Sequence, residues 1–282
     1  VRGGRAVRIE VVAGARLGAV SDIVVGVTRA LTAASAVICM AAACGDAAAP
    51  VGEAAPVAPS PPDARPAPSS PHGDMASSPA IAAVPPTRLI FLHRGPIELR
   101  PGIDDPIART SEVLARASNQ PLALPGFDGT DAQWASIRRC VTNLYGAFDV
   151  TVTDQDPGTT PHHLVVVGGR SRGLGLETRT LGGIAAFTGA SRAPSVVFAF
   201  AREQANDPQA VCETIASEVA HAYGLDHVLA CDDVMTYLPA CGPKAFRAVD
   251  APCGERAARR CASGAPTQNS FAMLRALLGP PR

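Results

Sequence analysis

Apolar residues recur along this chain with two different periods. Trp134, Ile137, Val141, Leu144 and Tyr145 fall three or four apart, the spacing of one face of a helix, over 131–147. Thr130 or Asp131 can cap that helix and Gly146 falls near its end. Shorter apolar stretches read as strands at 88–93, at 149–153 by alternation, at His163–Val167 as a continuous run closed by Gly168 and Gly169, more weakly at 182–188, and strongly at 195–201. A second helix opens at Asp207, an N-cap residue followed by proline at the first helical position. It runs over 208–223 until Gly224 stops it, as a residue free to turn left-handed does. Val211, Ile215, Val219 and Ala222 form its apolar stripe. Strand, helix, several strands, helix is the order of an α/β sheet with helices packed on it, and 87–282 is the size of one domain.

The first 86 residues read differently. Arg29 precedes an apolar run over 30–43 that ends in small residues before Cys44, the layout of an export signal with a bacterial lipobox. Residues 1–44 are accordingly expected to be a signal peptide, with Cys44 the acylated residue. The first 26 residues are long for a leader and carry Glu10 and Asp22, so a start near Val27, with 1–26 an upstream extension, fits the pattern better. The run is too short to span a membrane comfortably. Residues 45–86 hold 11 of the 26 prolines, interleaved with Ala and Ser. Such a segment cannot bury enough apolar surface to offset its ordering entropy, and is expected to be an extended tether. The expected location is therefore outside the cytoplasm, on a bacterial membrane, held by the lipid alone.

Net charge is zero and Lys244 is the only lysine, so no electrostatic case exists for nucleic acid or an anionic membrane surface. Of the eight cysteines, setting aside Cys39 and Cys44 leaves Cys140, Cys212, Cys231, Cys241, Cys253 and Cys261. An even set in an exported domain predicts three disulfides, with the pairing open. Four of the six follow His227, which predicts a stapled C-terminal subdomain. No CxxC pair favours a zinc knuckle instead.

The candidate chemistry lies in the second helix and just beyond it. Ser217-Glu218-Val219-Ala220-His221-Ala222-Tyr223-Gly224-Leu225-Asp226-His227 reproduces the pattern H-E-x-x-H-x-x-G-x-x-H at every fixed position except the first, where Ser217 stands. The spacing has a geometric reason. Positions 217 and 221 lie one turn apart on the helix, and Gly224 lets the chain turn so that His227 swings back toward His221. Two ligands from a helix and a third beyond a turn leave one metal position open for water, and Glu218 stands where a general base would.

On these residues the chain resembles the metzincin clan of zinc endopeptidases, its matrixin-like branch. A second stretch, Asp233-Val234-Met235-Thr236-Tyr237, resembles the Met-turn of that clan. The resemblance implies a twisted mixed sheet with a backing helix and an active-site helix. It implies zinc held by His221 and His227, Glu218 as base, Met235 beneath the ligands and Tyr237 as an auxiliary oxyanion donor. It also implies an extended peptide or protein substrate, paired with the sheet edge near 182–188, and a monomer.

Ser217 is the departure. A neutral hydroxyl is a poor zinc ligand beside imidazole, thiolate or carboxylate. His162 and His163 are consecutive at a strand start, so at most one points to a given face. Asp226 could compete with His227 as a ligand but cannot replace the first one, and Cys212 fits a disulfide better. Two functions follow: a zinc endopeptidase weakened at one ligand, or a pseudoprotease that keeps the cleft as a surface module for peptides. A serine hydrolase using Ser217 and His221 fits poorly, because a mid-helix serine has no free backbone N–H groups for an oxyanion hole.

Overall fold

The structure, a computed structural model, describes residues 8–13 as backbone, and 85–175, 180–192, 194–239 and 241–282. Cys44, the apolar run before it and the 45–86 tether lie outside the described residues. In chain order the elements are β1 (Arg8–Ala13), β2 (Leu89–His93), β3 (Ile97–Pro101), β4 (Thr110–Ser111), α1 (Glu112–Ala117), β5 (Leu122–Leu124) and α2 (Asp131–Tyr145). They continue with β6 (Thr151–Thr153), β7 (His163–Val167), β8 (Leu181–Phe187), β9 (Val196–Ala199), α3 (Pro208–Ala222), β10 (Ala251–Pro252), β11 (Thr267–Gln268) and α4 (Ser270–Leu278). Each strand and helix expected from periodicity is present within a few residues. Strand β1, the segment from β3 to β5 and helix α4 are additions.

The helix ends follow from their caps. Thr130 accepts from the Gln133 N–H while the Gln133 side chain returns to the Thr130 N–H, a capping box that starts α2. Asp207 accepts from the Ala210 N–H at 2.8 Å and Pro208 opens α3.

The main sheet has the order β1-β8-β9-β7-β2-β6. Strands β9, β7, β2 and β6 are parallel, whereas β8 is antiparallel to β9 and β1 antiparallel to β8. The sheet is therefore mixed, and both of its faces are covered. Val165, Val167, Val197 and Ala199 face a core shared with α2, α3 and the C-terminal segment. Leu164, Val166, Val196 and Phe198 face a second core beneath α1 and the small sheet β4-β3-β5. Burial on both faces is why β7 and β9 read as unbroken apolar runs rather than alternating ones.

Helix α3 lies between the sheet and α2. The Tyr145 hydroxyl of α2 donates to the Ala216 carbonyl of α3 at 2.8 Å, and Cys140 on α2 is bonded to Cys212 on α3. The six cysteines expected to pair do so, the other bonds being Cys231–Cys241 and Cys253–Cys261. These two close short loops after His227, and α4 adds Leu274 and Leu278 to the core. No helix among the described residues is long and apolar enough to cross a membrane.

His163 is fully buried at the start of β7, edge-on to the Tyr223 ring, and its Nδ1 accepts from the Ser195 N–H at 3.2 Å. Burial, with the neighbouring His162 adding to it, lowers its pKa to about 3. The unfolded chain thus takes up this proton first as pH falls. The stability that depends on a neutral His163 is complete above the unfolded pKa of about 6.5 and is lost between there and about 3. Thermal and urea melts should show a loss from this group of roughly 5 kcal/mol across that window. His163→Gln should flatten that part of the profile.

Candidate functional site

Helix α3 ends inside the protein, where every terminal carbonyl needs a partner. The Gly224 N–H donates to the His221 carbonyl at 2.9 Å and the Leu225 N–H to the Ala220 carbonyl at 3.0 Å, the paired bonds of a Schellman motif. Gly224 takes φ +94°, and a methyl there would lie 2.7 Å from the Ala190 carbonyl carbon. Conformation and space both demand glycine.

The reversed chain then brings Leu225 over its own helix. The His221 Nδ1 bonds the Leu225 carbonyl at 2.7 Å, so the ring carries its proton on Nδ1 and turns Nε2 away as a lone pair. His221 Nε2 is buried and has no hydrogen-bond partner among the described residues. His227 is held in the same manner, with Nδ1 3.1 Å from the Met235 carbonyl. The two rings meet edge to face with centres 4.5 Å apart. Two imidazoles on one zinc, with Zn–N of about 2.0–2.1 Å, place their centres roughly 5 Å apart. The separation here is of the same order. Burial, and then the proximity of His227, hold the His221 pKa well below the ordinary histidine value.

The turn over 233–237 is built around Asp233. Its carboxylate accepts from the Met235 N–H at 2.8 Å, the Arg247 N–H at 2.9 Å and the Ser270 hydroxyl at 3.0 Å. Met235 is thereby set under α3, where the Ser217 hydroxyl donates to its sulfur at 3.8 Å. Tyr237 packs edge-on to His227 with ring centres 4.3 Å apart. Ser217, His221, His227, Met235 and Tyr237 thus lie together in one buried cluster. Glu218 is fully buried on the same turn, facing β8 at Gly183.

Asp226 has a different part from the one considered above. Its carboxylate accepts from Arg259 at 2.6 and 2.8 Å, from the Ala262 N–H at 2.8 Å and from the His227 N–H at 2.8 Å. Burial works against its charge, but these bonds prevail and hold its pKa below the usual carboxylate value. A carboxylate so engaged anchors the loop. His162 and His163 lie away from the site, on Phe91 and Tyr223 respectively.

Three contributors were not read from the sequence. Phe187 of β8 lies against the His221 ring with centres 5.1 Å apart. Gln268 clamps the Asp226 backbone, accepting from its N–H and donating to its carbonyl, both at 2.7 Å. Gly183 lets β8 approach α3, since a methyl there would lie 2.6 Å from Thr214 Cγ2 and 2.8 Å from Glu218 Oε1. The glycine pair at 182–183 within a strand pattern is the one advance signal, as it marks close backbone approach.

Among the described residues, no group of three or more His, Cys, Asp or Glu side chains is arranged to hold a metal ion. Of the three positions that the motif assigns to metal ligands, two carry imidazoles, His221 and His227, and one carries Ser217. No protein-family model matches this chain, and no curated protein matches it either.

Gly183→Ala should lower stability by about 1–3 kcal/mol, the cost of overpacking, because Thr214 and Glu218 must both yield. Chemical denaturation of the variant against the parent measures it.

Proposed function

We propose that the domain is a peptide-binding pseudoprotease on a metzincin-like scaffold, exported and held at a membrane through Cys44 and the 45–86 segment. The observation that carries this reading is the bond of the Ser217 hydroxyl to the Met235 sulfur. The position that would supply the first ligand is instead joined to the turn beneath it. Catalytic zinc sites take three protein ligands, and here two imidazoles remain. Structural zinc in four-ligand sites is worth about 10–16 kcal/mol, so one lost ligand costs on the order of 3 kcal/mol, or about two decades of affinity.

In this reading the two imidazoles serve the fold. Their Nδ1 groups satisfy the carbonyls of Leu225 and Met235 and so fasten the turn after α3 to the Met-turn. Recognition falls to the sheet, where strand β8 lies along Glu218 and His221 and is paired with β1 on its outer side, so an extended peptide must take the place of β1 to reach its main-chain groups. The purified protein should keep far less than one zinc per chain after dialysis, and Ser217→His should raise zinc affinity by about a hundredfold. One zinc retained per wild-type chain would overturn the reading.

The Nδ1 bonds favour a second reading, a weakened zinc endopeptidase. They are the bonds that orient metal-bound histidines and keep Nε2 available. His221 and His227 would then hold the ion, which supplies an acidified water and polarises the scissile carbonyl. Glu218 would serve as general base and then as acid toward the leaving amine, and Tyr237 would donate to the oxyanion. This reading requires chelator-sensitive peptide cleavage that falls by at least a hundredfold in Glu218→Gln. Normal cleavage by that variant would remove Glu218 from the chemistry.

A further inference from the structure

On the face of the sheet away from α3, a cavity of about 270 Å³ opens between the loop after β3 and the connection from β6 to β7. Its floor is apolar. Phe91 of β2 and Leu164 of β7 stand opposite each other there and belong to the core beneath α1. Ile107 walls the cavity and is still 53% exposed. That wall is built in advance. Asp105 and Thr110 exchange both main-chain bonds at 3.1 Å, and the Asp105 carboxylate accepts from the Ile107 and Ala108 N–H groups at 2.9 Å. The loop so closed leaves Arg109 at φ +55°, a left-handed conformation uncommon for a residue with a side chain.

Two polar side chains of this cavity are unengaged. His162 is only 3% exposed, packed edge-on to the Phe91 ring with centres 5.7 Å apart. Its Nδ1 bonds the Thr160 carbonyl at 2.7 Å, so the neutral ring keeps its proton there and leaves Nε2 as an acceptor. No donor among the described residues meets that nitrogen. In a nearly enclosed site, an acceptor left in this way favours a ligand that brings a donor. The guanidinium of Arg109 likewise has no hydrogen-bond or ion-pair partner among the described residues. The acidic residue of the same cavity, Asp156, is engaged in its own loop, where it accepts from the Gly158 N–H at 2.8 Å.

We infer that this cavity binds a small organic carboxylate with a flat apolar body and a hydroxyl group, para-hydroxyphenylacetate being a simple member of the class. The ring lies on Phe91 and Leu164, the hydroxyl donates to His162 Nε2, and the carboxylate pairs with the Arg109 guanidinium. The volume holds one ring and its substituents, and falls just short of the ~300–1,000 Å³ of pockets for larger ligands. An apolar floor with a few placed polar groups is the usual make-up of such a site. The inference stands apart from the peptide-binding reading, because it uses the opposite face of the sheet.

Titration calorimetry on the full, disulfide-bonded chain tests this with para-hydroxyphenylacetate, its primary amide, and phenylacetate. The hydroxy acid should bind with a dissociation constant below ~1 mM. The amide should bind roughly tenfold more weakly, because it forms no charge-assisted pair with Arg109, and phenylacetate should be weaker by a similar factor for want of the hydroxyl. Arg109→Gln changes an exposed side chain that the fold does not use, and this variant should bind acid and amide alike. Amide resonances that shift on adding the hydroxy acid should fall within 91–93, 106–109 and 158–164. Absence of saturable binding overturns the inference. So do equal affinities of the wild type for acid and amide, a preference for the acid that survives in Arg109→Gln, or shifts centred on other residues. Phenylacetate bound as tightly as the hydroxy acid overturns the part given to His162. None of these measurements involves zinc, so the reading of the α3 cluster succeeds or fails on its own test.

Discussion

A helix that ends in the interior cannot leave its last carbonyls to water, and α3 resolves this through the left-handed turn at Gly224. The same turn decides where everything after it goes. It folds the Leu225 carbonyl back onto His221, sets Asp226 between Arg259 and Gln268, and presents His227 to the carbonyl of Met235. The bonds of His221, His227 and Gln268 lie among buried groups, where an unmet polar atom is costly and a met one specifies a single arrangement. The cluster is thus a continuous hydrogen-bonded structure that begins at one glycine, and the imidazoles are members of it whether or not an ion joins them.

That continuity accounts for a scaffold that keeps its shape around Ser217. In a metal site the bonds to Nδ1 orient the rings for the ion. Here the same bonds also satisfy two backbone carbonyls of the turn. A side chain whose sole contribution is a lone pair to the metal can be replaced with small structural loss. One that also closes a buried backbone group cannot. Ser217 closes no part of that turn's backbone, and its hydroxyl reaches the Met235 sulfur. Positions 221 and 227 belong to the second kind.

How much of this was legible follows from the range of the interactions. The bounds of α2 and α3 were readable because their caps are local: Thr130 with Gln133, Asp207 with Pro208, and Gly224. Strands β7 and β9 were readable because burial on both faces leaves unbroken apolar runs. The segment from β3 to β5 was not, since its strands have two to five residues and show no sustained period. Strand β1 was hidden by a competing pattern, the apolar run after Arg29 that reads as an export signal. In the site, the motif spacing carried Glu218, His221, His227, Met235 and Tyr237. Phe187 and Gln268 reach their partners across 34 and 42 residues, and nothing near them in sequence announces the contact. Asp226 was open to two parts in the sequence. Only its ion pair with Arg259, 33 residues on, chooses between them.

The link between Cys140 and Cys212 couples the two helices that carry and back the cluster, and Cys253, bonded to Cys261, lies beside His227, whose carbonyl takes the Gly254 N–H. The cluster's geometry is therefore hostage to thiol chemistry. Chain made where glutathione keeps cysteines reduced would hold α3 to α2 by packing and the Tyr145–Ala216 hydrogen bond without the covalent link, and would lose the two bridges that close the loops after His227. Protein prepared that way and protein matured among oxidants are different materials, and a disagreement between two laboratories over what this cluster binds could begin there.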